Sequence, residues 1–249
     1  MRKKLSKICL LHYVKLTLRS ALFVAVLVFY ILNRIEVLKE DIVLAAIVWV
    51  FFVVEMILRF FPSRLESMGC QKQFARNYDP VSGDNVAVNQ SAWQTALVAA
   101  VWIALNAIIG VLYYTGLIDR GILILIAIGY SVCDVVCILF FCPFQTWFMK
   151  NRCCTTCRIY NWDFAMMFTP LVFIVNWYTY SLLGCALLLL LRWEITYRLH
   201  PERFSTATNA CLDCKSCKEK LCAHKTQLQG FLKKYKQKFF PTKGNGKKQ

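Results

Sequence analysis

Long apolar runs are the feature that most constrains the fold of this chain. Three of them are "IVLAAIVWVFFVVEMILRFF" (42–61), "AWQTALVAAVWIALNAIIGVLYY" (92–114) and "GILILIAIGYSVCDVVCILFF" (121–141). A bilayer core about 30 Å thick is crossed by roughly 20 apolar residues in a helix, because a helix satisfies its own backbone hydrogen bonds. The sequence therefore predicts an all-α, polytopic helical membrane protein.

Five segments are candidates for membrane spans, at about residues 17–33, 42–62, 92–115, 121–142 and 168–191. The first follows "MRKKLSK" and lacks a small-residue cleavage site, so we interpret it as an uncleaved anchor. The chain then divides into a transmembrane domain, 1–192, and a cysteine-rich basic tail, 193–249. We expect four to five spans, because the last segment is ambiguous.

The distribution of Lys and Arg indicates the orientation, since these residues concentrate on the cytoplasmic side. The amino terminus and the loop after the fourth span are both basic, but a fifth crossing would place the strongly basic tail outside. Two alternatives follow. Either residues 164–191 form a re-entrant hairpin broken at Pro170 and "NWYTY", or they form a plain fifth span with the amino terminus outside. We favour a multi-pass protein of the cell membrane with both cysteine-rich regions in the cytoplasm.

The 13 cysteines fall into scattered and clustered groups. Five occur singly, and we interpret them as small hydrophobic residues: Cys9, Cys70, Cys133, Cys137 and Cys185. Eight occur at two sites, one in the loop after the fourth span and one in the tail: Cys142, Cys153, Cys154 and Cys157, then Cys211, Cys214, Cys217 and Cys222.

Four chemistries compete for the clustered cysteines. Disulfides require an oxidising compartment, and lipidation would suit cysteines beside a membrane helix. Zinc takes four tetrahedral ligands, commonly from two CxxC pairs such as Cys154 with Cys157 and Cys211 with Cys214. The fourth chemistry is an iron–sulfur cluster held by thiolates.

The stretch "CLDCKSC" (211–217) resembles half of a bacterial ferredoxin motif, in which a C-x2-C-x2-C run combines with a remote cysteine followed by proline. Here Cys142 precedes Pro143, although it comes before the triple run instead of after it. The resemblance implies an iron–sulfur cluster, which we favour over zinc. The predicted ligands are first those of the tail, then those of the loop: Cys211, Cys214, Cys217 and Cys222, followed by Cys142, Cys154 and Cys157.

Four polar residues in the predicted spans are further candidates, because polar groups at bilayer depth are costly. Glu55 and Arg59 are four residues apart, so the spacing predicts an ion pair on one helical face. Asp134 has no basic residue within a turn or two in sequence, and Asn106 is a possible hydrogen-bond partner. An interhelical lock and a proton or transport path are both open for Asp134.

The tail is basic, and its sequence pattern predicts an amphipathic helix at about 225–240. Leu228, Leu232, Tyr235 and Phe239 recur at helical spacing among lysines, and the whole chain has a formal charge of +16. Such a helix beside a membrane anchor favours an anionic lipid surface over nucleic acid as the partner.

The sequence contains no phosphate-binding glycine loop, GxSxG elbow or HExxH pair, so we do not expect an enzyme in its own right. The favoured hypothesis is a membrane protein with a cysteine-ligated metal site at one membrane face. It would serve electron transfer or redox sensing with a redox or membrane protein partner. The alternatives are an assembly protein with a structural zinc staple and a small transporter that uses Asp134.

Overall fold

The computed structural model describes residues 7–33, 42–62, 68–81, 91–151, 153–213 and 226. Within these residues the chain is helical and has no β-strand, which confirms the predicted all-α class. The extended pairing that does occur is an isolated antiparallel bridge between Pro80 and Asn209. The predicted amphipathic helix at 225–240 lies outside the described residues, apart from Thr226.

Seven α-helices form the described structure. They are α1 (Lys7–Asn33), α2 (Ile42–Leu58), α3 (Met68–Gln73), α4 (Ala92–Tyr114), α5 (Arg120–Leu139), α6 (Asp163–Phe168) and α7 (Trp177–Leu199). Side chains cap two of them, because Asp119 accepts from the Ile122 N–H at the start of α5 and Asn176 accepts from the Tyr178 N–H at the start of α7. The first helix begins ten residues before the predicted span, in its basic flank.

Among the described residues, three helices are long and apolar enough to cross a membrane: Ile8–Leu32, Ala92–Tyr114 and Arg120–Leu139. This finding supports a membrane protein. The apolar part of α2, Ala46–Leu58, is shorter, and the polar residues at both ends of α7 lower its mean hydropathy. The structure thus supports three of the four to five predicted spans by length and composition.

The long helices alternate in direction along the chain, so the chain returns repeatedly to one end of the bundle. The Tyr30 hydroxyl donates to Asp119 at 3.0 Å, which joins the end of α1 to the start of α5. At the other end of the same pair, Cys9 packs against Val135 and Leu139. Accordingly α1 and α5 are antiparallel.

The segment predicted as the last span is a hairpin with one broken arm. Its first arm consists of α6 and a 3-10 helix, Thr169–Phe173, and Pro170 at the junction cannot donate an amide hydrogen to a continuing α-helix. Its second arm is α7. Glu194 near the end of α7 accepts from Arg158 at 2.7 Å and from the Trp162 indole at 2.8 Å, so the hairpin begins and finishes at the same end of the bundle.

We call that end the cysteine end, because it holds the loop 142–162. The short helix α3 lies between this loop and the first part of the tail. Gln73, which is fully buried, donates to the Thr155 carbonyl at 2.8 Å and accepts from Asn161 at 2.9 Å. Asn209, also fully buried, donates to the Lys72 carbonyl at 3.1 Å. The loop and the residues 201–213 are therefore both docked on α3.

Candidate functional site

A cavity of about 140 Å³ lies at the cysteine end, between α4, α5, α6 and the loop 142–162. Its size is close to that of engineered cavities of about 150 Å³ that admit a benzene molecule. Aromatic and methionine side chains form much of its wall, and two aspartates, Asp134 and Asp163, also line it. Five cysteines complete the lining: Cys133, Cys137, Cys142, Cys154 and Cys157.

Three separate stretches bring these thiols together. Cys133 and Cys137 are four residues apart, and this spacing places them on one face of α5. Cys142 follows α5 directly. Cys154 and Cys157 flank a short 3-10 turn, Cys154–Thr156, in the loop. The fold therefore joins two cysteines of a membrane helix to three that come after it in the chain.

Gln145 organises the loop cysteines around this cavity. Its backbone N–H donates to Cys142 Sγ at 3.4 Å, and its Oε1 accepts from Cys154 Sγ at 3.0 Å. The Gln145 side chain, 4% exposed, also donates to the Asn151 carbonyl at 3.0 Å. The thiols of Cys137 and Cys142 are within hydrogen-bonding contact of each other.

The Cys157 thiol is held in its protonated form. Burial raises its pKa to about 12; a hydrogen bond from the Ile159 backbone opposes that shift, and the neighbouring thiols Cys142, Cys154 and Cys153 add to it. A bound cation would reverse this effect, because a metal ion deprotonates the thiols that coordinate it. Without a cation, Cys157 therefore presents a neutral sulfur donor to the cavity.

Charged side chains form a network behind the cavity. Arg19 on α1, 2% exposed, contacts Glu55 Oε2 at 2.6 Å and Asp134 Oδ2 at 3.0 Å, and it donates to the Ser131 carbonyl at 2.8 Å. Lys15 adds a contact to Glu55 Oε1 at 2.9 Å. The network links α1, α2 and α5 and reaches the cavity wall at Asp134.

The expected ion pair between Glu55 and Arg59 is not the pairing that the structure shows. Glu55 contacts Lys15 and Arg19 of α1, while Arg59 Nη1 lies 2.5 Å from Asp163 Oδ2. The physical reason is that α2 ends at Leu58, so Arg59 lies in the turn beyond the helix, where the four-residue spacing does not apply.

The basic partner of Asp134 is Arg19 of α1, 115 residues away in the chain, so the contact is interhelical. Asn106 does not supply the partner that we considered. Its amide donates to the Trp102 carbonyl of its own helix at 2.9 Å, and its buried Oδ1 has no hydrogen-bond partner among the described residues. Asp134 is thus a member of an ion network at the cavity wall.

The tail cysteines are represented in the structure by Cys211, which is half-buried in the docked part of the tail. Cys214, Cys217 and Cys222 lie outside the described residues. Of the predicted ligands, the structure brings Cys142, Cys154 and Cys157 to the cavity, and Cys211 does not line it.

Within the described part of the chain, no group of three or more His, Cys, Asp or Glu side chains forms a ready coordination set for a metal ion. The donor types around the cavity, thiol and thioether with a carboxylate, nevertheless fit a soft or borderline metal ion. Metal binding here would therefore require side chains to reorient around the ion.

Sequence reasoning missed four contributors to the site. Cys133 and Cys137 were interpreted as hydrophobic residues, and neither Arg19 nor Asp163 was assigned to the site. Two signals were present in the sequence, because Lys15 and Arg19, like Cys133 and Cys137, are four residues apart and so share a helical face. No local pattern indicates that Asp163 meets Arg59.

Comparisons of this chain with protein-family models, with curated proteins and with solved structures gave no match.

Proposed function

We propose that this chain is a multi-pass membrane protein in which cysteine thiolates at the cysteine end bind a metal for electron transfer or redox sensing. The observation that carries the proposal is the convergence of five cysteines from three stretches of chain on one cavity. A small hydrophobic role explains a scattered cysteine but not this convergence. Thiolates are the common ligands of zinc and of iron–sulfur clusters.

An iron–sulfur cluster is the first candidate for the bound group, on the strength of the ferredoxin-like spacing of the tail cysteines. Such a cluster supplies one-electron chemistry when it is bound. The chain's own residues would position it, exclude water from it and expose its edge to a redox partner protein. The ligands that we assign first are the tail cysteines, whose spacing favours the cluster: Cys211, Cys214, Cys217 and Cys222. The second set is Cys142, Cys154 and Cys157, and Cys137 lies beside them on the cavity wall.

Metal content and visible absorption of the full chain, purified without oxygen, test this proposal. We expect stoichiometric iron and sulfide with a broad absorption band near 400 nm, roughly where thiolate-bound clusters absorb. A variant with Cys142, Cys154 and Cys157 changed to Ser should lose both. A second variant with Cys211, Cys214 and Cys217 changed to Ser separates the contribution of the tail.

Cys185→Ser is the matched control, because Cys185 is a half-buried cysteine of α7 that does not line the cavity. It should retain the metal. Protein without metal under these conditions, or metal that survives both triple variants, would overturn the proposal. Folding of each variant is checked by its elution volume and thermal midpoint.

A structural zinc staple is the second candidate, and the docking of both cysteine regions on α3 favours it. The loop contacts α3 through Gln73 and the tail contacts it through Asn209, so a metal between the two regions would lock this arrangement. In that case the protein is colourless and contains zinc. Chelation should then make the tail sensitive to protease, whereas it should leave the helices protected.

The proposed membrane topology has both termini on one side. We place α1, α2, α4, α5 and the hairpin 163–199 within the membrane. The broken arm of the hairpin is tolerable there because Phe164, Phe168 and Leu171 bury it among the other helices. The basic loop and tail at the cysteine end then face the cytoplasm, as the charge rule requires.

The basic tail is proposed to lie on anionic lipid, where each nearby lysine adds about 1 kcal/mol of attraction. Limited proteolysis in nanodiscs tests this partner. The tail should be cleaved more slowly in discs that contain phosphatidylserine than in zwitterionic discs, and the difference should disappear at high salt.

A further inference from the structure

The carboxylate of Asp163 lies on the cavity wall and is almost fully buried. Its side chain is 9% exposed, and its Oδ2 lies 2.5 Å from Arg59 Nη1. The Phe164 backbone N–H also donates to this carboxyl group, while the buried Oδ1 has no side-chain donor among the residues that the structure describes. A buried carboxylate oxygen without a side-chain donor is costly, so this atom is a site where a cation would be stabilised.

The surroundings of Asp163 define which cation would fit. The same cavity is lined by the thiols of Cys142 and Cys157 and by the thioethers of Met166 and Met167. A site that combines one carboxylate oxygen with thiolate sulfur suits a divalent transition-metal ion such as zinc or cobalt. Magnesium and calcium prefer sites made of oxygen alone.

Arg59 occupies the other oxygen of Asp163. Its guanidinium also lies 4.6 Å above the ring of Phe164, so it is held in place from two directions. A cation that binds Asp163 must share the carboxylate with this arginine, and the two positive charges repel each other. The arginine therefore acts as a competitor for the cation.

We propose that Asp163 supplies an oxygen ligand to a divalent transition-metal ion in this cavity, and that Arg59 competes with the ion for that carboxylate. This inference rests on the proposed metal site. Binding of the ion by Asp163 and two cysteine thiols releases the two thiol protons to solvent. The dipositive ion then gains two thiolates, and the net charge of the cavity does not change.

Cobalt titration of the full-length, metal-free protein in nanodiscs tests the inference, because cobalt–thiolate absorption bands report sulfur ligation directly. Asp163→Asn should weaken cobalt binding by about 10- to 100-fold or more, since loss of a group that merely supports a metal ligand already costs that much. Asp163→Glu should retain binding. Arg59→Gln should bind cobalt as tightly as the unmodified chain, or more tightly.

The two ion-pair variants are expected to change cobalt affinity in different ways. This difference distinguishes a carboxylate that binds the metal from one that only supports the fold. If the pair only supports the fold, Asp163→Asn and Arg59→Gln should weaken binding equally, and the inference fails. Arg158→Gln and Glu194→Gln provide the matched control, because these residues form a 2.7 Å pair at the same end but do not line the cavity. Both should leave cobalt affinity unchanged.

The outcomes also distinguish this inference from the proposed function. Cobalt that binds and requires Cys142, Cys154 and Cys157 but not Asp163 overturns the inference and leaves the metal site intact. Absence of cobalt binding in the unmodified chain overturns the inference, whereas the proposed function is overturned only if the purified protein also lacks iron and zinc. If Arg59→Gln does not fold, Arg59→Lys replaces it, and a loss of affinity equal to that of Asp163→Asn counts against the inference.

Discussion

Arg19 shows how a single charged residue organises this bundle. It lies in a helix that is apolar over most of its length, yet its guanidinium is met by two carboxylates and a backbone carbonyl. A charge buried at this depth is tolerable only with such partners. Since the partners come from α2 and α5, Arg19 also fixes how those helices are rotated toward α1.

Glu55→Gln is expected to destabilise the protein strongly. The change removes the carboxylate from Arg19 and Lys15, and it leaves Asp134 as the carboxylate that still contacts Arg19 in the described network. Breaking a buried pair in this way costs roughly 3–5 kcal/mol, because one charge loses its compensation. The effect is measured as a change in the thermal midpoint in detergent. The midpoint is determined from the loss of monodisperse protein on heating.

Glu202→Gln is the comparison for this substitution. Glu202 contacts His200 at 3.1 Å, and its side chain is 37% exposed. An exposed pair contributes only about 0–1 kcal/mol, so its loss should hardly change the midpoint. Equal decreases in the two variants would contradict the buried network.

The broken hairpin arm is the element that shapes the interior. Proline at its junction and the short length of α6 prevent a continuous helix, and the arm packs between α4, α5 and α7. Its 3-10 part, Thr169–Phe173, approaches α4 closely at Gly110. A Cβ atom built on Gly110 would lie 2.5 Å from Cζ of Phe173, so this helix requires glycine there for the observed packing.

Gly110→Ala is therefore expected to lower stability by about 1–3 kcal/mol through overpacking against Phe173. Phe173→Leu in the same chain should recover part of the loss, because a smaller side chain makes room for the added methyl group. Gly184→Ala is the matched control in α7, where nothing lies within 4 Å of the added atom. It should be neutral or slightly stabilising, since alanine favours helix over glycine. A midpoint that does not fall in Gly110→Ala would contradict the close approach.

At the scale of the whole molecule, the ion network, the docked tail segment 201–213 and the cysteine cavity all occur at one end of the bundle. In the part of the chain that the structure describes, the opposite end contains the turns near residues 114–119 and 174–177. Concentrating polar groups at one end is compatible with a chain that returns to the same side after each pair of helices. The proposed topology depends on this arrangement.

Labelling with a membrane-impermeant maleimide tests that topology in oriented vesicles. Ala75→Cys and Glu202→Cys introduce thiols at the cysteine end, and Leu117→Cys introduces one at the opposite end, where the native side chain is 71% exposed. The first two should react from one side of the membrane and the third from the other. Peptide mapping by mass spectrometry separates these thiols from the native cysteines. Reaction of Glu202→Cys from the side of Leu117→Cys would refute a hairpin at 163–199.

The sequence by itself determined the helical class and the bounds of α4 and α5. The runs at α4 and α5 predict their ends within about three residues, because a helix in an apolar setting satisfies its hydrogen bonds locally and Asp119 provides a local cap. The loop cysteines were likewise visible as a cluster. These features depend on neighbours in the chain, which a sequence displays directly.

Only the tertiary structure decided which charges pair and which cysteines meet. Glu55 was expected to pair with Arg59, yet each contacts a partner from another part of the chain. Packing of α1 brings Arg19 to Glu55, and packing of α6 brings Asp163 to Arg59. Cys133 and Cys137 join the loop thiols for the same reason. Such contacts depend on how helices are rotated and stacked, and helical spacing within one segment carries no information about that rotation.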